Sequence, residues 1–272
     1  MKFLVCICVL FASALAVFAQ EPEAISPQTD PKTLDQSTPA APDPLPLYLA
    51  ISEGDTTAAN EALKSGIDPN AVLPHPAPQE LYKRFVGTSL EFYVRSEPGL
   101  TPIMLASGRG DVDMVQLLLA WGADRHRETT RNKTFPLWLA AKHGHIEVMK
   151  LLMNIKPDSE AARTRILVSL KDQKATLFVD DVEKKTMPIS SGRRKFPTPP
   201  GRYLITNKYK MWTSNIYEVK MPFFMRLSCG DVGLHAGALP GYPASHGCVR
   251  LPAKVAEELF ATVPIGTLVE IQ

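Results

Sequence analysis

Apolar residues are spaced differently in three stretches of the chain, and each spacing predicts a different kind of structure. Residues 3–18 form an almost unbroken apolar run. Between about residues 47 and 157 the apolar positions recur in blocks of helical length. Thr101-Pro102-Ile103-Met104-Leu105-Ala106 followed by Val115 and Leu117-Leu118-Leu119 is one such block, and it predicts paired short helices with a shared buried face. Beyond Pro157 the runs shorten and become β-branched. Ile166-Leu167-Val168-Ser169-Leu170, Ala175-Thr176-Leu177-Phe178-Val179 and Tyr203-Leu204-Ile205-Thr206 read as strands separated by charged or Gly/Pro turns. Residues 252–261 predict one helix with Leu259 and Phe260 turned inward, and Leu268-Val269-Glu270-Ile271 a closing strand. The predicted architecture is a helical stack followed by a β-rich, sandwich- or barrel-like domain over residues 163–272.

The helical blocks repeat. Pro102 and Pro136 are 34 residues apart, as are Gly110 and Gly144, and Phe135-Pro136-Leu137-Trp138-Leu139-Ala140 echoes the block at 101–106. An earlier copy runs from Pro46-Leu47-Tyr48-Leu49-Ala50 through Gly54-Asp55 to Gly66-Ile67-Asp68. This pattern resembles the ankyrin repeat, whose period of about 33 joins a turn to two antiparallel helices. An insertion around residues 73–98, carrying Tyr82, Phe85, Phe92 and Tyr93, separates the first copy from the second and departs from the repeat. Each copy buries its apolar face only against a neighbour. The resemblance implies a stack over residues 47–157 that docks a protein partner or acts as a scaffold for the β-rich domain.

The apolar run at the amino end, preceded by Lys2 and ending in Val17-Phe18-Ala19, predicts a secretory leader over residues 1–19. A membrane anchor is the rival reading, but the run includes Ser13 and falls short of a comfortable span, so no stable membrane span is expected after cleavage. Residues 20–46 read as a Pro-rich linker with almost nothing to bury. Charge sharpens the division. Residues 163–272 hold 16 Lys and Arg against 9 Asp and Glu, while residues 20–162 hold 13 against 19. A cationic carboxyl-terminal domain favours an anionic polymer, and no nucleic-acid recognition motif accompanies the charge. Cys6 and Cys8 lie in the leader, which leaves Cys229 and Cys248. In an oxidising compartment two cysteines invite a disulfide. The surroundings of Cys248 call instead for a reduced thiol, with Cys229 read as buried and unreactive and a regulatory bridge between the two as the minority idea.

Those surroundings are Gly233-Leu234-His235-Ala236-Gly237 and Ser245-His246-Gly247-Cys248-Val249-Arg250. An ordinary thiol is only a few per cent ionised at neutral pH, so a cysteine nucleophile needs a base. His235 is the candidate and His246 its rival. Gly247 lets the chain turn tightly enough for the N–H groups of Gly247 and Cys248 to address an oxyanion. A thiol, an imidazole and such donors make an acyl-transfer arrangement. A buried structural cysteine and a zinc site are the alternatives, but the Cys-x-x-Cys or His-x-x-His pairs usual for zinc are missing.

The Ser-His-Gly-Cys-Val-Arg run with its upstream His-Ala-Gly resembles the signature of the YkuD-type L,D-transpeptidase catalytic domain. Phe196-Pro197-Thr198-Pro199-Pro200-Gly201-Arg202-Tyr203 resembles the same family's turn into a strand. The likeness covers about two fifths of the chain. It implies Cys248 as the acylated nucleophile, His235 as base and later acid, and the carbonyl of Ala236 as the group orienting the imidazole. Ser245, His246 and Gly247 would shape the nucleophile turn and Arg250 would receive substrate. The implied activity is peptidoglycan L,D-transpeptidation on stem tetrapeptides in cell-wall biogenesis and shape, without metal or organic cofactor, in the periplasm or wall. L,D-carboxypeptidase action, or a non-catalytic wall-binding and docking module, are the alternatives. His235 and Cys248 are 13 residues apart, a short connection for this family, and the loop through Pro240-Gly241-Tyr242-Pro243 is expected to form a shortened cleft wall.

Overall fold

A computed structural model describes residues 41–214, 217–228, 230 and 232–272. The expected leader, most of the linker and Cys229 lie outside the described residues. Helix α1 (Leu45–Glu53) opens the stack two residues ahead of the expected boundary, because Pro46 sits in its first turn, where a missing N–H costs nothing. α1 pairs with α2 (Thr56–Lys64), α5 (Pro102–Arg109) with α6 (Val112–Ala120), and α7 (Pro136–Lys142) with α8 (Ile146–Leu152). The recurring glycines have a common cause. Gly54, Gly110 and Gly144 each take a left-handed φ, between 74° and 78°, where the first helix of a pair gives way to the second. Asp55 and Asp111 then cap the second helix, accepting from Ala58 N–H at 2.9 Å and Met114 N–H at 3.0 Å. His145 replaces that Asp in the last copy and sends Nε2 to the Gly108 carbonyl at 3.1 Å, tying repeat to repeat.

The insertion folds as part of the stack. It forms α3 (Gln79–Lys83) and α4 (Glu91–Ser96), and Leu81, Phe85, Leu90 and Tyr93 are buried in the same apolar core as the repeats.

A short α9 (Glu160–Arg163) leads into the second domain, which has strands β1 (Thr164–Ser169), β2 (Lys174–Val179), β3 (Val182–Pro188), β4 (Gly201–Thr213), β5 (Lys220–Leu227), β6 (Gly233–Ala236), β7 (Val249–Leu251) and β8 (Leu268–Ile271), with α10 (Ala253–Thr262) before the last. They form one mixed sheet in the order β3-β2-β1-β8-β4-β5-β6-β7. β4 is the joint. Its first residues pair with β8, and after an irregularity between Ile205 and Asn207 the rest pairs with β5, so one long strand serves both halves of the sheet. The two halves and α10 bury one core that includes Ile166, Met225, Leu234, Val249, Leu259 and Val269.

Alternation along β4 also joins the two domains. Tyr203 and Ile205 point into the core of the second domain, whereas Leu204 between them lies in the core of the repeat stack, with Leu268 packed alongside. The Leu204 N–H donates to Ser228 Oγ at 3.1 Å, and that hydroxyl contacts Met149 Sδ of α8 at 3.5 Å. A Cβ on Gly266 would come within 2.3 Å of Ile155 Cδ1. No helix among the described residues is long and apolar enough to cross a membrane.

Candidate active site

Strand register brings the expected residues together. β6 and β7 run parallel, with Leu234 opposite Val249 and His235 opposite Arg250. Leu234 and Val249 are fully buried in the core. Because strand side chains alternate, His235 and Arg250 share the other face, and Cys248, two positions before Arg250, belongs to it as well. All three line one cavity of about 140 Å³.

His235 is 6% exposed, and its Nδ1 donates to the Ala236 carbonyl at 2.8 Å, which leaves Nε2 as the nitrogen that accepts a proton. Burial pulls its pKa below the ordinary histidine value; the Ala236 hydrogen bond opposes this and the Arg250 charge adds to it. The site therefore holds a neutral imidazole at neutral pH, which is the form a base requires.

The turn into Cys248 is braced from both sides by hydroxyls. Ser245, itself buried, accepts the Gly247 N–H at 3.1 Å and donates to the Cys248 carbonyl. Thr198 accepts the Gly192 N–H at 2.8 Å and donates to the Gly247 carbonyl at 2.7 Å. Gly247 takes φ 117°, in the region that favours glycine. The Gly247 N–H, expected at the oxyanion, is instead committed to the Ser245 hydroxyl, because the turn needs that bond to close.

Thr198 belongs to the Phe196–Tyr203 motif, whose place is now physical. Residues 190–198 run beside the turn as a strap: Ser190 bridges Arg250, Gly192 bridges Ser245, and the Ser191 N–H donates to Gln173 Oε1 at 2.9 Å. Gly192 admits no side chain, since a Cβ would lie 2.2 Å from the Phe196 carbonyl oxygen.

His246 is placed differently from His235. It is exposed, its ring lies 4.4 Å from that of Tyr217 and 5.0 Å from that of Phe196, and its Nε2 meets the Arg193 guanidinium. A guanidinium only donates, so this nitrogen accepts and is occupied. Limited desolvation, followed by Arg193 and Arg250, lowers its pKa.

Sequence reading missed the wall of the cleft. Ser214, Tyr217, Val219 and Met221, from the end of β4 and the start of β5, line the cavity. The 240–243 loop, expected there, does not, because the Ser190 hydroxyl donates to the Tyr242 carbonyl at 2.8 Å and pins the loop to the strap. Arg250 has no carboxylate partner among the described residues, and its aliphatic stem packs over Gly237, where a Cβ would lie 2.9 Å away.

A parallel strand pair thus presents a cysteine and a tautomer-fixed histidine in one cleft, residue types suited to acyl transfer. A family profile described as the L,D-transpeptidase catalytic domain matches residues 163–271, and one for three ankyrin repeats matches residues 77–162. A relative named L,D-transpeptidase YkuD, from Bacillus subtilis strain 168, is 31% identical over 118 residues, covering 42% of this chain and 70% of its own length. Its namesake in Bacillus licheniformis is 33% identical over 110 residues, covering 39% of this chain and 64% of that protein. An L,D-transpeptidase crystal structure from Mycobacterium tuberculosis is similar at 28% identity over 40% of this chain and 57% of that one, with a TM-score of 0.38. The chain belongs to the YkuD-type L,D-transpeptidase family, with ankyrin repeats ahead of its catalytic domain.

Proposed function

We propose that this protein is an exported peptidoglycan L,D-transpeptidase working through a thioester on Cys248. The observation that carries the reading is the shared face of β6 and β7, where a neutral His235 with Nδ1 tied to Ala236 lines one cavity with Cys248. His235 Nε2 takes the thiol proton as sulfur attacks the carbonyl of the L-centre at position three of a stem tetrapeptide. The bond to D-Ala breaks, and the imidazolium protonates the departing amine. An acceptor amine then attacks the thioester, the C–N bond forms as the C–S bond breaks, and the thiol is regained. Arg250, with no carboxylate neighbour among the described residues, would hold a substrate carboxylate.

Ser245, Thr198 and Gly247 fix the sulfur's direction, and Ala236 fixes the tautomer. The leader reading places this chemistry in the periplasm or wall, and the repeats supply a surface for a protein partner.

Incubating the reduced protein with disaccharide-tetrapeptide, and following intact mass and products, tests the proposal. The expected result is an adduct on Cys248 with loss of D-Ala, absent in Cys248→Ala. Dimers mark transfer, and D-Ala loss without dimers marks carboxypeptidase action. Absence of any adduct overturns the reading.

A further inference from the structure

Beyond buried His235 and half-buried Cys248, the cleft has an exposed lip that the reaction as described leaves unused. Arg193 lies 5.0 Å from the centre of the Phe196 ring and binds His246, and Lys195 Nζ lies 5.6 Å from that same ring. Phe196, His246 and Tyr217 pack against one another, with Tyr217 40% exposed. The lip is bolted to the nucleophile turn, since the Arg193 N–H donates to the Ser245 carbonyl at 3.0 Å and the Phe196 N–H to the Arg193 carbonyl at 2.8 Å. Neither Arg193 nor Lys195 has a carboxylate partner among the described residues.

We propose that Arg193 and Lys195, held over Phe196 and His246, form an acceptor subsite that selects an amine-bearing peptide with a free carboxylate close to the attacking amine. This rests on the thioester reading above. Three considerations support it. Two peptides must reach one sulfur in turn. The first, once bound as thioester, fills part of the one cavity that His235, Arg250, Tyr217 and His246 all line, so the second must arrive along its exposed Tyr217 and His246 edge, beside Arg193 and Lys195. His246 is two residues from Cys248, hence within about 7 Å along the chain, so a carboxylate held at Arg193 lies within one or two peptide residues of the reacting carbon. Finally, cation–ring stacking and the bond to His246 already order two long side chains, so capturing an anion there loses little rotamer freedom. The amine loses its proton to His235 as it attacks, so the subsite need only position it.

The test starts from wild-type protein acylated by donor tetrapeptide and verified by intact mass. Acceptor tripeptides with free carboxylates are then compared with their carboxamide analogues. The expected kcat/KM preference for the acidic acceptor is about tenfold, as for one charge-assisted hydrogen bond, and should shrink as ionic strength rises. In Arg193→Gln/Lys195→Gln the preference should collapse through KM for the acidic acceptor. Lys195→Gln alone, changing a side chain with only ring contacts, should remove part of it. Equal use of both acceptors by the acylated wild type, or a preference that survives the double substitution, overturns the subsite while leaving the thioester intact. Failure of the wild type to acylate overturns the underlying reading itself.

Discussion

The inner wall of the cleft and its outer lip each carry a histidine, and the two are opposites. His235, 13 residues from Cys248 in sequence, is buried, fixed in one tautomer, set opposite Arg250 by strand register and in one cavity with Cys248. His246, two residues away, is exposed, packed between two tilted rings and occupied by an arginine. Nearness in sequence to Cys248 is therefore a poor guide to which imidazole is buried and tautomer-fixed in its cleft. What decides is the face of the sheet and the fate of each ring nitrogen.

The contrast is most vulnerable at the bases themselves. His235→Ala should slow acylation, followed by adduct mass against time, by about a hundredfold or more, the scale of one general base. His246→Ala should slow it less than about tenfold; the reverse order would exchange their roles. Next in size is the brace between strap and turn. Thr198→Val keeps the shape but strands the half-buried Gly192 N–H and the buried Gly247 carbonyl, which should cost about 1–3 kcal/mol. Thermal unfolding should then fall by several degrees, and an unchanged midpoint would show that Gly192 and Gly247 find other partners. The smallest effect is in pH. Burial holds the folded-state pKa of His235 below the ordinary value of about 6.5. The acid limb of the acylation rate should therefore have its midpoint under 6.5 and stay there in His246→Ala. Linkage gives the matching sign for stability. Below about 6.5 the unfolded chain takes up a proton that the folded site resists, so His235 lowers stability as pH falls and contributes nothing above that value.

Much of this was legible beforehand where one physical cause repeats or acts locally. Gly54, Gly110 and Gly144 mark the same left-handed helix end three times, and the predicted helix at 252–261 differs from α10 (Ala253–Thr262) by one residue at each end. The signature residues of the cleft were also readable, because Cys248, His235 and Arg250 lie on or beside two short strands whose alternation is strict. Other parts were not. β3, with Glu183, Lys184 and Lys185 on an exposed edge, has no apolar face to announce it. The insertion buries Leu81, Phe85 and Leu90 against neighbours far along the chain, without the repeat's period. Ser190, Ser191, Gln173 and Thr198 act by bridging segments distant in sequence, and a hydroxyl or amide in a loop gives no local sign of its partner.

Leu204 carries a mechanical consequence. Because one strand is at once a wall of the enzyme's core and the end plate of the repeat stack, the stack is a handle more than a leash. Under the proposed function, a protein bound to the repeats would therefore turn the face that carries Cys248 along with them, instead of merely tethering it.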